Sequence, residues 1–415
     1  MTHLLKPDRQ SDFNETGVYW LGESNTVFLD PVRMLNRSYS RFQVSASAYY
    51  TRFFSPRSSR GWKKRKRKEK RKMKALNERE LLAEQRHQEK RSILLRAHEA
   101  LLGDQRILDI IKNLRNETSL AQERFHANEV SLLDLGTVYQ SPFYHITLSF
   151  DHHFHLNGDP SIVPHCQKSS VLLFNNMVAN ETNREGEAEF LDNNYIIPRQ
   201  SCFYMSDLEH MHNLIPAKSD CGYNLIVIDP PWENSSARQK HRYQTLPNRY
   251  FLSIPVKQLT HPAGALVALW VTNREKLRSF VENELFSAWG VKQVANFFWL
   301  KVKADGSLIS DMDLFHHRPY ECLILGYCGV KDTEVSTLKS IPDNKVFVSV
   351  PGEYSRKPPL GELLKEYTPG LDSARCIELF AREMISGWTS WGNEPLHFQN
   401  SKYFLHKSLQ EGGPK

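Results

Sequence analysis

From about residue 200 onward the chain repeats one pattern: uninterrupted apolar runs of strand length separated by amphipathic stretches. The runs are "NLIVID" (224–229), "ALVALWV" (265–271), "VANFFWL" (294–300), "CLILGY" (322–327), "VFVSV" (346–350) and "RCIELF" (375–380). None alternates apolar with polar residues, so each is expected to be a strand buried on both faces. Between them, "NREKLRSFVENELFSAWG" (273–290) puts Leu277, Phe280, Val281 and Leu285 on one helical face and ends at a glycine, and "PLGELLKEYTPG" (359–370) ends the same way. This alternation predicts βαβ units around a mostly parallel, doubly wound α/β sheet of Rossmann-like architecture. Ligands of such sheets bind beyond the carboxyl ends of the strands.

The N-terminal half reads differently. Residues 1–59 show no sustained period and are expected to be irregular and appended. Residues 75–102 contain no Pro or Gly and many strong helix formers; Gly103 stops this helix, and Asp104 can cap a second one on which Ile107, Ile110, Ile111 and Leu114 recur. An αα-hairpin is the expectation. From about 130 to 195, short β-prone pieces such as "FYHITLSF" (143–150) and "SVLLF" (170–174) suggest a small separate module, with the acidic, Asn-rich 175–194 as a flexible linker before a main domain spanning 196–405.

Charge is unevenly distributed. Residues 60–74 hold eleven Lys/Arg and one Glu, a net of +10, so a chain of formal charge +7 carries 7 − 10 = −3 elsewhere. The basic block is expected to serve nuclear import and attraction to RNA, with a solvated tail as the plainer alternative. Six scattered cysteines without a Cys-x-x-Cys pair fit reduced thiols rather than a disulfide frame or a zinc site. The longest uncharged apolar run is far short of a membrane span, and the N-terminus lacks a signal-peptide core. The expectation is a soluble protein of the nucleus or cytosol.

The first of the apolar runs ends in Asp229-Pro230-Pro231-Trp232. Two prolines fix φ and donate no N–H, so the turn is stiff and its carbonyls are expected to accept hydrogen bonds from a guest. Asp229 adds a side-chain acceptor and Trp232 an aromatic face. A flat ring bearing an exocyclic amine suits this set, with base stacking worth roughly 1–3 kcal/mol. Such acceptors also direct the amine's delocalised lone pair outward, a catalysis of positioning and electrostatics. The plainer reading is a proline turn with a packing tryptophan. Directly after it, Arg238, Lys240, His241, Arg242 and Tyr243 suit phosphates and a stacked base. His152, His153 and His155 cannot converge from one strand and are read as surface histidines, so no metal site is expected.

These elements together resemble a family. DPPW after an apolar strand, then "ALVALWVTNREKL" (265–277), "HHRPYECLILG" (316–326), "SRKP" (355–358), "RCIELFAR" (375–382) and "WGNE" (391–394), resemble the MT-A70 adenine-N6 methyltransferases, in particular the methyltransferase-like protein 4 subfamily. The resemblance covers roughly 195–400 and implies a permuted motif order, with the amine-binding element ahead of the cofactor strand. It implies that Asp229 and Pro230 accept from the target amine, with Pro231 and Trp232 completing the catalytic turn. It also implies an S-adenosyl-L-methionine site lined by Asp229, Phe203, Lys357, Glu378, Phe380, Arg382, Asn393 and Glu394, and a substrate-side tyrosine at Tyr243. Two departures stand out: Glu383, Met384 and Ile385 follow Arg382 where the messenger-RNA enzymes have a His-Asn pair, and Glu394 replaces a Gln. The implied activity is methyl transfer to N6 of adenine in RNA, with 2′-O-methyladenosine of a small nuclear RNA as target and a monomer needing no partner subunit. DNA is the alternative polymer, and a catalytically inactive RNA-binding scaffold the alternative class.

Overall fold

The computed structural model describes residues 9–22, 25–52, 77–116, 131–137, 143–152, 165–218, 221–233, 245–315, 317–331, 333, 338–353, 355–370 and 374–407. In chain order its strands begin with β1 (Val18–Trp20), β2 (Thr26–Leu29), β3 (Phe42–Val44), β4 (His145–His152), β5 (His165–Leu172) and β6 (Met177–Asn180). They continue with β7 (Gly186–Phe190), β8 (Asn193–Ile197), β9 (Ser201–Met205), β10 (Leu225–Ile228), β11 (Ala265–Val271) and β12 (Val291–Lys301). The last are β13 (Tyr320–Cys328), β14 (Lys345–Ser349), β15 (Cys376–Leu379), β16 (Trp388–Gly392) and β17 (Phe404–His406).

Eleven of these form one sheet in the order β1-β2-β14-β12-β13-β11-β10-β15-β16-β9-β6. The pairings set β2, β14, β12, β11, β10, β15, β16 and β9 in one direction and β1, β13 and β6 against it. The sheet is therefore mostly parallel, as the apolar runs predict. Every residue of β10, β11, β14 and β16 is buried. The run at 322–327 is antiparallel to both its neighbours, within a sheet expected to be mostly parallel. A run buried on both faces fixes depth in the sheet, not direction.

Helices cover both faces. On one, Leu277, Val281 and Leu285 are buried, and the helix, interrupted by a π turn over Val281–Leu285, ends at Gly290, whose φ of 66° needs the missing Cβ. The helical hairpin packs on this face. Asn77 and Glu80 form a capping box at the start of Glu78–Gly103, Asp104 caps Gln105–Asn113, and Leu94, Leu101, Ile107 and Ile111 join the core containing Leu277 and Val281. On the other face Leu360, Leu363, Leu364 and Tyr367 cover Leu225, Val227, Leu266 and Phe347.

Two expectations about domain borders are corrected. The N-terminal region is not appended: β2 pairs in parallel with β14, and Phe13, Phe28, Leu35 and Tyr49 are buried in the main core. Strands of three and four residues are too short to show a period, and the partner of β2 lies far away in sequence. The supposed linker 175–194 is β6, β7 and the start of β8, with β6 completing the large sheet and β7 and β8 joining a four-stranded one with β4 and β5. "GEAEF" alternates buried and exposed, its two glutamates on the exposed face. That alternation is a strand signal which acidic composition masked.

Candidate active site

The carboxyl edge of the parallel strands gathers the site. Asp229 follows β10 directly, and its N–H donates to the Leu379 carbonyl on β15 at 3.3 Å. The Trp232 N–H then donates to the Pro230 carbonyl at 2.7 Å, and the Leu246 N–H to the Pro231 carbonyl at 3.0 Å. The expectation of free proline carbonyls is corrected: each has one lone pair engaged and one left. Trp232 is 6% exposed, donates its indole N–H to the Trp270 carbonyl at 2.8 Å and meets Phe251 edge-on at 5.0 Å. In this structure it wedges the turn in place instead of presenting an open face.

Beside the turn lies a row of alternating charges. Lys357 Nζ, from the segment after β14, is 3.1 Å from Asp229 Oδ2 and 3.4 Å from Glu321 Oε2, and Glu321 also holds Lys301 at the end of β12. The Trp270 ring centroid lies 5.4 Å from Lys357 Nζ. Glu321 reaches this edge because β13 runs backwards and starts there. Burial works against its charge, but Lys301 and Lys357 outweigh it and hold the carboxyl down at about 2. Burial likewise opposes the Lys357 charge, and Asp229 and Glu321 reverse this and hold its pKa up. For Asp229 burial dominates over Lys357 and pushes the carboxyl up.

Between β10 and β15 the strand order reverses, since the chain passes from β10 to β11 on one side and returns at β15 on the other. An open cleft occupies this switch point, walled by Asp229, Trp270, Lys357, Glu378, Phe380 and Arg382. Burial, then the neighbouring Asp229 and Glu383 carboxylates, push Glu378 up to about 8. Phe380 has φ 63° and Ser355 φ 61°, left-handed backbone that is rare for a bulky side chain and marks a strained rim. Arg382 Nε pairs with Glu394 Oε1 at 2.9 Å, and His397 Nδ1 lies 3.2 Å from the other Glu394 oxygen. Asn393 follows β16 and is exposed beside them.

Of the residues expected at the cofactor site, Asp229, Lys357, Glu378, Phe380 and Arg382 converge on the cleft, and Asn393 and Glu394 flank it. Phe203 does not: it sits within β9, fully buried with Val178, Met205 and Met384. Its strand runs on to Met205 before reaching the edge. Sequence reasoning missed Glu321, Lys301 and the Arg356–Glu383 pair that also borders the cleft. A charged residue at the mouth of an apolar run, as in "YECLILG", was the available signal for Glu321. Arg238, Lys240, Arg242 and Tyr243 of the expected substrate loop lie outside the described residues, as do His153 and His155. Among the described residues no three His, Cys, Asp or Glu side chains group as metal ligands, and no helix is long and apolar enough to cross a membrane.

Comparison with known proteins agrees with this geometry. Residues 223–394 match the model of the MT-A70 family. The chain is 38% identical over 268 residues to the mouse N(6)-adenine-specific methyltransferase METTL4, covering 62% of this chain and 53% of the relative. It is 33% identical over 217 residues to the N6-methyladenosine RNA methyltransferase MTA1 of Cryphonectria parasitica, covering 50% of this chain and 62% of that one. It is 34% identical over 243 residues to the DNA N6-methyl methyltransferase of Caenorhabditis elegans, covering 57% and 64%. The chain spans about half the length of the METTL4 relatives it matches. The DPPW turn at the carboxyl edge and most of the residues that line the switch-point cleft fall within 223–394, the segment that matches the MT-A70 family.

Proposed function

We propose that the chain is an S-adenosyl-L-methionine-dependent adenine-N6 methyltransferase that acts on nucleic acid, with RNA rather than DNA as its polymer. The observation that carries this reading is the switch-point cleft, which Asp229 of the DPPW turn lines together with its ion-pair partner Lys357, Glu378 of β15 and Phe380 just beyond that strand.

The residues present fit the cofactor. Lys357 has three N–H donors, of which two point at Asp229 and Glu321, so one remains for a ligand carboxylate. The Asp229 and Glu383 carboxylates near Glu378 favour a cationic ligand, Asn393 and the Arg382–Glu394 pair offer donors and acceptors to a diol, and Phe380 covers an apolar face. Bound there, S-adenosylmethionine would supply a methyl group on a positively charged sulfur. The chain's own work is to hold the amine: Lys357 engages Asp229 Oδ2, leaving Oδ1 and the second lone pair of the Pro230 carbonyl as acceptors for two N–H groups. Accepting both hydrogens localises the nitrogen lone pair and fixes its direction, while the packed Trp232 keeps the turn from yielding.

The polymer is inferred more indirectly. Relatives bear names of both kinds, one an RNA and one a DNA methyltransferase, and the basic block at 60–74 suits either phosphate backbone. The resemblance to the methyltransferase-like protein 4 subfamily favours 2′-O-methyladenosine in a small nuclear RNA, a nuclear location and action as a monomer. The test is transfer of labelled methyl to matched RNA and DNA oligonucleotides carrying adenosine or 2′-O-methyladenosine. N6 product on the 2′-O-methyl RNA, absent with Asp229→Ala, supports the reading. Product on DNA alone overturns the polymer, and no product on any oligonucleotide leaves a scaffold.

A further inference from the structure

We propose that the N-terminal segment is a working part of the cofactor site: Tyr49 clamps Arg356, and Arg356 with Glu383 fixes in register the two loops between which the cofactor lies. Tyr49, Arg356 and Glu383 are then positioning residues. This inference rests on reading the cleft as the S-adenosylmethionine site.

Arg356 immediately precedes Lys357, and its side chain is 3% exposed. Its guanidinium lies 4.2 Å from the ring centroid of Tyr49 and 4.0 Å from that of Phe398. In its plane it grips Glu383 with two nitrogens, Nε at 3.1 Å from Oε2 and the terminal nitrogen at Oε1. This is a bidentate, stacked arrangement that suits Arg and not Lys. Glu383 directly follows Arg382 and stands three residues after Phe380. The pair therefore joins the loop that presents Lys357 to the loop that presents Phe380 and Arg382. Both loops need holding, since Ser355 and Phe380 each sit in left-handed backbone.

Tyr49 comes from the far end of the chain, on a short helix, Ala46–Tyr49, whose cap Ser45 accepts the Ala48 N–H. Its ring presses against the backbone just before the Lys357 loop, where a Cβ at Gly352 would lie 2.8 Å from Tyr49 Cε1. The next residue, Tyr50, donates to Asp30 Oδ1 at 2.9 Å, which ties the clamp to the helix after β2. An error of about 1 Å in the Lys357 loop is enough to misplace a bound ligand and lose up to about two orders of magnitude.

The experiment uses the full chain with Arg356→Lys, Glu383→Gln, Tyr49→Leu and Tyr49→Phe, each checked for folding by circular dichroism. S-adenosylmethionine affinity is measured by calorimetry without nucleic acid, and KM for cofactor, KM for oligonucleotide and kcat by transfer assay. The first three variants should bind S-adenosylmethionine about tenfold more weakly or worse, with kcat at saturating cofactor and the oligonucleotide KM within about threefold. Tyr49→Phe keeps the ring and should bind like the unaltered chain. Folded Arg356→Lys and Glu383→Gln chains with unaltered affinity would overturn the proposal, as would a parallel loss in all three kinetic constants. Should Tyr49→Leu not fold, the two charge variants decide. Failure of the unaltered chain to bind S-adenosylmethionine overturns the reading of the cleft itself, a result distinct from unchanged binding in the variants.

Discussion

At Asp229 two demands compete, since burial raises its carboxyl pKa while the Lys357 ammonium 3.1 Å away stabilises the charged form. Lys357 is the shared partner of both half-buried carboxylates, so Lys357→Met leaves Asp229 without its ion-pair partner and Glu321 with Lys301 alone. The expected cost is about 3 kcal/mol by denaturant unfolding, together with loss of cofactor binding. Glu378 allows a test by pH. Its carboxyl titrates at about 8 in the folded chain against an ordinary value of 4.5, so the folded state holds a proton that the unfolded state has lost between those pH values. Stability from this group is full below pH 4.5 and falls as pH rises toward about 8, so Glu378→Gln should flatten the decline in thermal midpoint over that window. Asp229, Lys357, Glu378, Phe380 and Arg382 were legible in the sequence because each lies at or just beyond an apolar run or in a motif that resembles the family's. Glu321 and Arg356 were not, because their roles depend on which strand runs backwards and which distant ring lies overhead.

The helical hairpin shows how far pattern reaches at the level of elements. The cap at Asp104 and the spacing of Ile107 and Ile111 were readable, and they fold as expected. The packing can be checked by truncation. Leu94 is fully buried and Leu81 is 55% exposed, so Leu94→Ala should cost about 2–5 kcal/mol in chemical unfolding and Leu81→Ala less than about 0.5. The hairpin of β7 and β8 marks the limit. Its turn places Leu191 and Asp192 at φ 46° and 58°, a two-residue geometry for which sequence signals are Asn and Gly, not Leu. The missing turn signal and the exposed glutamates together made a strand pair read as a linker. β2 and β3 were hidden for a different reason: they pair with β14 and β17, far along the chain, and no local window contains those pairings.

At the scale of the molecule, the N-terminal segment laces the fold together. β1 and β2 extend the main sheet beyond β14, β3 pairs with β17, and the buried Glu185 carboxylate accepts from the Ser40 and Arg41 N–H groups. Removing residues 1–52 would bare the backbone edge of β14 and withdraw Tyr49 from the loop that carries Lys357. Such a chain should aggregate on size-exclusion chromatography and fail to bind S-adenosylmethionine; a monodisperse truncation with unaltered affinity would count against this architecture. The central claim concerns the switch-point cleft, and a crystal structure of the chain grown with S-adenosylmethionine tests it most directly. The account predicts ligand density between Asp229, Lys357 and Phe380, with the ligand carboxylate toward Lys357. Density bound elsewhere with this cleft empty would contradict it.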